Sequence, residues 1–311
     1  MQQTFFDLLG SDFNHLKTKQ SNDWYWHFKD YPKEKNGLKV FSCFACGGGS
    51  TMGYKLAGFD VIGDLEIDKR MNSVYLANHS PKHNYVLDIR DFNNIPNNEL
   101  PKELFDLAES KGLMLQCYQN RRFDSDFLTV QKVIESGKLG DLLELEMHFD
   151  YYRPEVPESI HEFSVIDSYL YGHACHTLDQ VISYFGKPDH AHYDVRQLLG
   201  TGRMNDCFDL DLYYGTLKVS VKSSYFRIKE RPSFVLYGKK GMFTKTKKDR
   251  QEADLKHFYM PYEHDDFGLD TPDDYGTLIY DEEGHYHEEK IETVKGDYGY
   301  YYDALYETII N

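Results

Sequence analysis

Residues 38–50, with the sequence LKVFSCFACGGGS, decide the fold of the first part of the chain. The apolar run 38–44 predicts a buried strand, and Ser50 is placed to cap a helix that ends near Leu56. Glycines 47–49 form the loop between the strand and the helix. Because free backbone amides and the helix dipole meet at such a loop, it is typical of a site for an electron-rich or anionic group.

The same alternation continues in the residues that follow. Strands are predicted at 61–65 and 85–89, with a helix at 69–78 between them, and after a further helix a fourth strand is predicted at 113–118. Strands that alternate with helices imply a parallel sheet with right-handed crossovers. The first part of the chain is therefore predicted to be α/β, with a Rossmann-like partial sheet of parallel strands.

Strands dominate the chain beyond residue 119. A helix capped by Ser125 ends near Gly137 and is predicted to have one apolar face, formed by Phe127, Val130, Val133 and Ile134. A long helix covers 166–185. This pattern predicts an α+β domain with an open-faced, largely antiparallel sheet. The predicted strands lie at 142–150, 191–198, 208–214, 217–225, 233–236 and 242–245.

These patterns divide the chain into three segments. Residues 1–36 are a lead-in segment, 37–118 a partial Rossmann-like region, and 119–311 the α+β domain. We expect the second and third segments to carry the function, because the chemistry-bearing motifs lie there.

Charge and composition exclude several classes of function. The 311 residues carry 35 basic and 51 acidic side chains, and the net charge of −16 argues against nucleic-acid binding. No apolar run is long enough for a membrane span, and the first residues do not have the pattern of a signal peptide. The odd number of cysteines, 5, favours a reducing compartment. We therefore expect a cytoplasmic protein.

Two carboxylates strengthen the interpretation of the glycine loop. Glu66 follows the second predicted strand and Asp88 lies at the tip of the third, where they can bind the ribose hydroxyls and the amine of a nucleoside. Carboxyl ends of parallel strands meet at one edge of a sheet. The strict dinucleotide pattern fails, since Met52 stands where its third glycine belongs. The residues predict a nucleoside site.

Six short motifs follow one another between residues 44 and 90. They are FACGGG at 44–49, GY at 53–54, AGF at 57–59, EID at 66–68, NH at 78–79 and DIR at 88–90. With them, residues 37–107 resemble the S-adenosylmethionine-binding start of DNA cytosine-5 methyltransferases. The resemblance implies weak binding of S-adenosylmethionine. The implied cofactor-binding residues are Phe44, Gly47, Gly48 and Gly49 for the methionine end, Glu66 for the ribose, and Asp88 and Ile89 for the adenine.

The chain departs from that family at the chemical step. Cys46 stands where the family has a glycine, and the sequence contains neither the Pro-Cys loop of the nucleophile nor the Glu-Asn-Val segment of the assisting carboxylate. Cys117 is the only stand-in for the nucleophile, with Gln116 in place of the proline. Methyl transfer is therefore expected to be incomplete.

Five further motifs mark the remainder of the chain. They are GLMLQCYQNRRF at 112–123, IESGKLG at 134–140, YGHACHTLD at 171–179, FGKP at 185–188 and YGKKG at 237–241. With them, residues 102–311 resemble the C-terminal part of the Gfo/Idh/MocA oxidoreductases, which act on sugars and polyols with NAD or NADP. The resemblance implies a sheet that forms the substrate side of the active site and the contact of a homo-oligomer.

His176 is the predicted catalytic residue. A histidine on a cleft-facing helix can exchange the proton of a substrate hydroxyl. The resemblance implies an aspartate four positions earlier, but Gly172 stands there, and His173 and Asp179 are the substrate-side candidates nearby. A structural helix histidine and a metal site at His173, His176 and Asp179 are the alternatives, and we expect no metal.

Essential parts of both families are absent from the sequence. The oxidoreductase resemblance implies NAD(P), yet the chain has neither a GxGxxG-like loop nor a Glu-Lys-Pro segment, and its end looks truncated. We interpret the chain as a chimera with a join at 103–107. In it, a substrate domain for a sugar or polyol, lacking its own NAD domain, follows an S-adenosylmethionine-binding fragment, and neither activity is complete. The alternatives are a DNA cytosine-5 methyltransferase-related protein and a non-catalytic sugar-binding or oligomerisation module.

Overall fold

The computed structural model describes most of the chain as two compact units. The described residues are 35–43, 45–87, 105–106, 108–155, 168–200, 203–257, 259–261 and 264–310. The first unit comprises those up to Tyr118 together with Gly299–Ile310, and the second comprises Gln119–Tyr298. Of the predicted cofactor-binding residues, Phe44, Asp88 and Ile89 lie outside the described residues, as does most of the lead-in segment.

A three-stranded parallel sheet forms the frame of the first unit. Its order is β1 (Lys39–Cys43), β2 (Asp60–Leu65) and β3 (His83–Tyr85). Helices α1 (Gly49–Leu56) and α2 (Lys69–His79) connect these strands. The predicted Rossmann-like partial sheet of parallel strands is confirmed.

Two local predictions in this unit are wrong. Helix α1 begins at Gly49 with Gly48 as its N-cap, so Ser50 lies in the first turn and does not cap the helix. Residues 113–118 form no strand, and Leu113 and Met114 are 67% and 50% exposed. An apolar run alone predicted this strand, but no strand of the described sheet lies beside it to supply hydrogen bonds.

The last helix, α6 (Gly299–Ile310), packs within the first unit. The hydroxyl of Tyr302 donates to the carbonyl oxygen of Ser50 at 3.2 Å, and its ring centroid lies 5.1 Å from that of Tyr54. A side chain on Gly53 would overlap the Tyr302 ring, so the glycine lets α1 and α6 approach closely. The domain bounds 37–118 and 119–311 stay a prediction.

An eight-stranded sheet is the frame of the second unit. The strands are β4 (Leu142–His148), β5 (His190–Arg196), β6 (Cys207–Tyr214), β7 (Leu217–Ser224), β8 (Phe234–Gly238), β9 (Gly241–Lys245), β10 (Gly276–Glu282) and β11 (His285–Ile291). Their order in the sheet is β11-β10-β9-β8-β4-β7-β6-β5, and among the strand pairs only β4 and β7 run parallel. The prediction of a largely antiparallel sheet is confirmed.

Helices α3 (Ser125–Glu135) and α4 (Cys175–Phe185) pack in one core with this sheet. Phe127, Val130 and Val133 are all buried, which confirms the apolar face predicted for α3. A π-helical turn, Leu170–Ala174, precedes α4, and a short helix, α5 (Gln251–Lys256), follows β9. Among the described residues, no helix has the length and apolarity that a membrane span requires.

A buried ion pair ties β9 to the loop before β10. Lys245 Nζ lies 2.7 Å from Asp270 Oδ2, and the two side chains are 0% and 1% exposed. The ammonium also donates to the carbonyl oxygens of Lys247 and Asp274, both at 3.0 Å. Three acceptors therefore compensate the desolvation of this ammonium.

Replacing one partner of this pair should destabilise the second unit strongly. We expect Asp270→Asn to lower the free energy of unfolding by about 3–5 kcal/mol, because it leaves a buried ammonium without a counter-charge. The double variant Lys245→Met with Asp270→Leu should lose less than Asp270→Asn alone. Urea unfolding of the full chain measures both.

The exposed pair Lys239–Asp141, whose nitrogen and oxygen lie 2.8 Å apart, provides the control. Asp141→Asn should leave the urea midpoint nearly unchanged, since solvent screens this pair. Equal effects of the two Asp→Asn variants would contradict the argument.

Candidate functional site

The parallel pair in the second unit brings two strand ends to one edge of the sheet. Beyond β4, the backbone amides of Phe149 and Tyr151 donate to the carbonyl oxygens of Lys222 and Ser224 at 3.1 and 3.0 Å. The amide of Arg153 donates to the carbonyl oxygen of Tyr225 at 2.8 Å. Ligand sites in open sheets form at the carboxyl ends of parallel strands. This edge is therefore the candidate site of the second unit.

His173 lies among the aromatic rings at this edge, which we call the aromatic cluster. Its ring centroid lies 4.3 Å from that of Tyr169 and 5.3 Å from that of Tyr151. Its Nδ1 is buried and has no hydrogen-bond partner among the described residues. Burial and the charges of Arg153 and Arg121 lower the pKa of His173 to about 4, so the ring is neutral at pH 7. The aromatic cluster comprises Phe149, Tyr151, Tyr169 and Tyr225.

His176 lies one turn further along, in α4. Its Nδ1 lies 3.0 Å from Oε1 of Gln119. Because an amide oxygen only accepts hydrogen bonds, Nδ1 carries the hydrogen and the neutral ring has its lone pair on Nε2. Burial, and after it the charge of Arg121, holds the pKa of His176 below its ordinary value. His176 is thus an oriented, neutral proton acceptor.

Asp179 has a different partner. Its Oδ2 and Oδ1 accept from Nε and a terminal nitrogen of Arg122 at 2.7 and 2.8 Å. This bidentate pair anchors α4 to the 3₁₀ turn Asn120–Phe123, and Asp179 takes no part in orienting His176. Within the described part of the chain, no group of three or more His, Cys, Asp or Glu side chains is placed to hold a metal ion.

Arg121 connects the histidines to a buried acidic network. It pairs with Asp124 at 3.3 Å and with Glu252, and its guanidinium carbon lies 4.8 Å from the ring centroid of Phe149. Although burial opposes ionisation, hydrogen bonds and charges of Lys256 and Arg121 lower the pKa of Glu252 to about 2. Glu252 therefore stays ionised and compensates the charge of Arg121.

The glycine loop is the candidate site of the first unit. The amide of Cys46 donates to Oε2 of Glu66 at 2.8 Å, and the amide of Asp68 donates to Oε1 at 2.8 Å. The predicted ribose-binding carboxylate is thus held beside the loop by two backbone amides. Cys46 itself has φ +46°, in the left-handed region that favours glycine.

The three glycines of this loop differ in what surrounds them. Gly48 has φ +98°, and a side chain there would overlap His79. Among the described residues, a side chain on Gly49 would meet nothing within 4 Å, and one on Gly47 would be in ordinary contact with Val74. Packing explains the glycine at 48 but not the one at 49, which leaves room for a ligand beside the first turn of α1. The residues present therefore fit the adenosine portion of a cofactor.

Comparison with known proteins identifies the family. A model described as the GFO/IDH/MocA C-terminal domain matches residues 127–244. A crystal structure of yhhX, described as a probable oxidoreductase, is 35% identical, with a TM-score of 0.69 over 88% of this chain and 89% of that one. The chain belongs to the GFO/IDH/MocA family. It is an oxidoreductase-family chain, and the likeness to yhhX in fold extends over both units.

Two curated relatives within this family match a shorter stretch. The uncharacterized oxidoreductase YhhX of Escherichia coli is 48% identical over 67% of this chain and 59% of its own length. The scyllo-inositol 2-dehydrogenase (NADP(+)) IolW of Bacillus subtilis is 33% identical over 65% of this chain and 56% of its own length. The chain thus spans about six tenths of the length of the curated relatives it matches. These relatives are oxidoreductases, and the methyltransferase resemblance of residues 37–107 stays a prediction.

Sequence reasoning missed three residues of the candidate site in the second unit. Gln119, Arg121 and Glu252 set the tautomer and the charge environment of His176. The polar run QNRR at 119–122, directly after an apolar run, was the available signal for the first two. Glu252 had none, because it lies 131 residues from its partner Arg121.

A carboxylate at position 119 should raise the pKa of His176. In the wild type we expect His176 to titrate below its ordinary value of about 6.5. In Gln119→Glu the added charge should raise that pKa by about 1–3 units, because an opposite charge favours the protonated ring. NMR of the histidine ring protons between pH 4 and pH 9 measures both values.

The sign for folding stability follows from the same shift. Since folding lowers the pKa of His176, the neutral ring contributes fully to folding stability above about pH 6.5. This contribution declines as the pH falls toward the pKa of His176 in the folded protein. Gln119→Glu should weaken this decline, while Asn120→Asp, one position along, serves as the control. An unchanged His176 titration in Gln119→Glu would contradict the assigned hydrogen bond.

Proposed function

We propose that the second unit binds a sugar or polyol and accepts the proton of its hydroxyl at Nε2 of His176. The observation that carries the proposal is the hydrogen bond from Nδ1 to Gln119, which leaves Nε2 as the acceptor on a neutral ring. In this role, Gln119 replaces the aspartate that the sequence lacks at position 172. His176 therefore has an orienting partner, although that partner is an amide and not a carboxylate.

Family membership supports NAD(P) as the redox partner. When bound, NAD(P) would supply the acceptor for the hydride of the substrate carbon. IolW is named as a scyllo-inositol dehydrogenase that uses NADP(+), so inositols and NADP are the first pair to test. Homo-oligomerisation through the sheet and a cytoplasmic location, both expected from the sequence, stay proposals.

For the first unit, we infer binding of the adenosine portion of a cofactor. The open space beside Gly49 and the fixed carboxylate of Glu66 support this inference. The resemblance of residues 37–107 implies S-adenosylmethionine, whereas the family implies NAD(P). Both contain adenosine, and the experiment below separates them.

Oxidation of inositols tests the function of the second unit. We expect the purified full chain to reduce NADP with scyllo- or myo-inositol above a blank without protein. His176→Ala should lower that rate by about 100-fold or more, the usual contribution of general base catalysis. His192→Ala, on the exposed strand β5, is the matched control and should leave the rate unchanged.

No turnover in the wild type is the contrary outcome. It is the result predicted by the missing GxGxxG loop and the missing Glu-Lys-Pro segment. A rate that survives in His176→Ala would also overturn the role of this histidine.

Substitution of Gly49 tests whether the first unit binds adenosine at the glycine loop, with binding measured by calorimetric titration. Gly49→Ala should keep or raise the stability of the fold, because alanine in the first turn of a helix is favoured over glycine by up to about 1 kcal/mol. It should weaken binding of adenosine-containing probes by about tenfold, since the new methyl group occupies the open space. Gly48→Ala should instead destabilise the unit, because it overlaps His79.

The probes are S-adenosylmethionine, NAD, NADP and adenosine. Tighter binding of NADP than of S-adenosylmethionine would favour the oxidoreductase interpretation of this unit. Tighter binding of S-adenosylmethionine would favour the methyltransferase resemblance. If none of the four binds, or if Gly49→Ala binds as the wild type does, the assignment of the loop is wrong.

A further inference from the structure

Three cationic side chains lie against the aromatic cluster. The guanidinium carbon of Arg153 lies 4.4 Å from the ring centroid of Tyr151 and 5.7 Å from that of Tyr225. Lys248 Nζ lies 4.7 Å from the centroid of Phe149 and 4.9 Å from that of Tyr151. Arg121 faces Phe149, as described above. The carboxyl ends of β4 and β7, the only parallel pair in the described eight-stranded sheet, thus carry a cationic, aromatic surface.

The three cations differ in how far carboxylates compensate them. Arg121 is paired with Asp124 and Glu252. Lys248 lies 3.1 Å from the carboxylate of Glu230, which is 52% exposed. Within the described residues, Arg153 forms no ion pair with a carboxylate. Positive charge is therefore in excess at Arg153, on the side of the cluster that faces solvent.

This excess stands out against the charge of the whole chain. The net charge is −16, so the long-range field does not attract anions. Cations gathered at one place on such a protein act over short distances, where hydrogen bonds to a charged group are strong. A short-range anion contact is what this surface can provide.

The exposed side of the cluster offers a second, neutral contact. Tyr151 is half-buried, whereas Tyr169 and Tyr225 are 1% and 6% exposed and closed to a ligand. The part of the Tyr151 side chain that solvent reaches can pack against the C–H groups of a sugar ring.

We propose that the cluster recognises a sugar or polyol that carries one anionic group, a carboxylate or a phosphate. Arg153 binds the anion, Lys248 adds charge, and Tyr151 contacts the C–H groups of the sugar. The proposal rests on the proposed substrate role of the second unit and specifies its substrate class. The contrary interpretation is that the cations stabilise the aromatic rings by cation–π contacts alone.

Matched neutral and charged probes test the proposal in the full chain. The first pair is D-galactose and D-galacturonate, and the second is D-glucose and D-glucose 6-phosphate. Calorimetry should show the charged member of at least one pair binding about tenfold more tightly than its neutral partner. The two pairs distinguish a carboxylate from a phosphate, and added salt should reduce the preference.

Arg153→Gln should abolish the preference while neutral probes bind as before, and Arg153→Lys should retain part of it. Arg196→Gln, which removes a guanidinium paired with Asp194 at 3.1 Å on β5, is the control and should change nothing. The proposal is overturned if charged and neutral probes bind equally, if neither binds, or if Arg153→Gln keeps the preference.

The outcomes also separate this proposal from the proposed function. Oxidation of neutral polyols that depends on His176, without any charge preference, would leave the function standing and remove the anion site. Binding of a charged probe that depends on Arg153, without turnover, would do the reverse.

Discussion

The parallel pairing of β4 and β7 is the constraint on which the second unit depends. In a sheet whose other described pairs are antiparallel, it sends two strand ends to the same edge. The chain beyond β4 then continues alongside the end of β7 through backbone hydrogen bonds from Phe149 to Arg153. Aromatic and cationic side chains gather there because these two segments are paired, although their sequences are far apart.

The two histidines of the site follow from helix geometry. Residues three apart lie on neighbouring parts of one helix face, so His173 meets the aromatic cluster while His176 meets Gln119. Burial keeps both rings neutral, and Arg121 adds to this effect through its charge. Arg121 is in turn held by Asp124 and Glu252, so the positive charge near the proton acceptor has a fixed position.

Local periodicity predicted the elements of the fold, but not the contacts between distant residues. The apolar face of α3 and the strand, loop and helix around residues 38–56 follow from spacing alone. The pairs Gln119–His176 and Arg122–Asp179 are both separated by 57 residues. Because the two separations are equal, the segment around the turn Asn120–Phe123 runs alongside α4. A local sequence pattern cannot predict contacts over such a separation. The false strand at 113–118 has the same origin, since strand formation depends on a neighbour that the sequence does not specify.

The glycine loop shows why a motif has to be separated into its physical requirements. Gly48 is needed for its backbone angle and for the space that His79 occupies, and Gly53 for the approach of Tyr302. Cys46 keeps a left-handed angle without being a glycine, at a cost of about 1–2 kcal/mol. The hydrogen bond from its amide to the buried carboxylate of Glu66 helps to hold that angle. Neither backbone angle nor packing explains Gly47 or Gly49, and of these two only Gly49 has open space among the described residues where a side chain would lie.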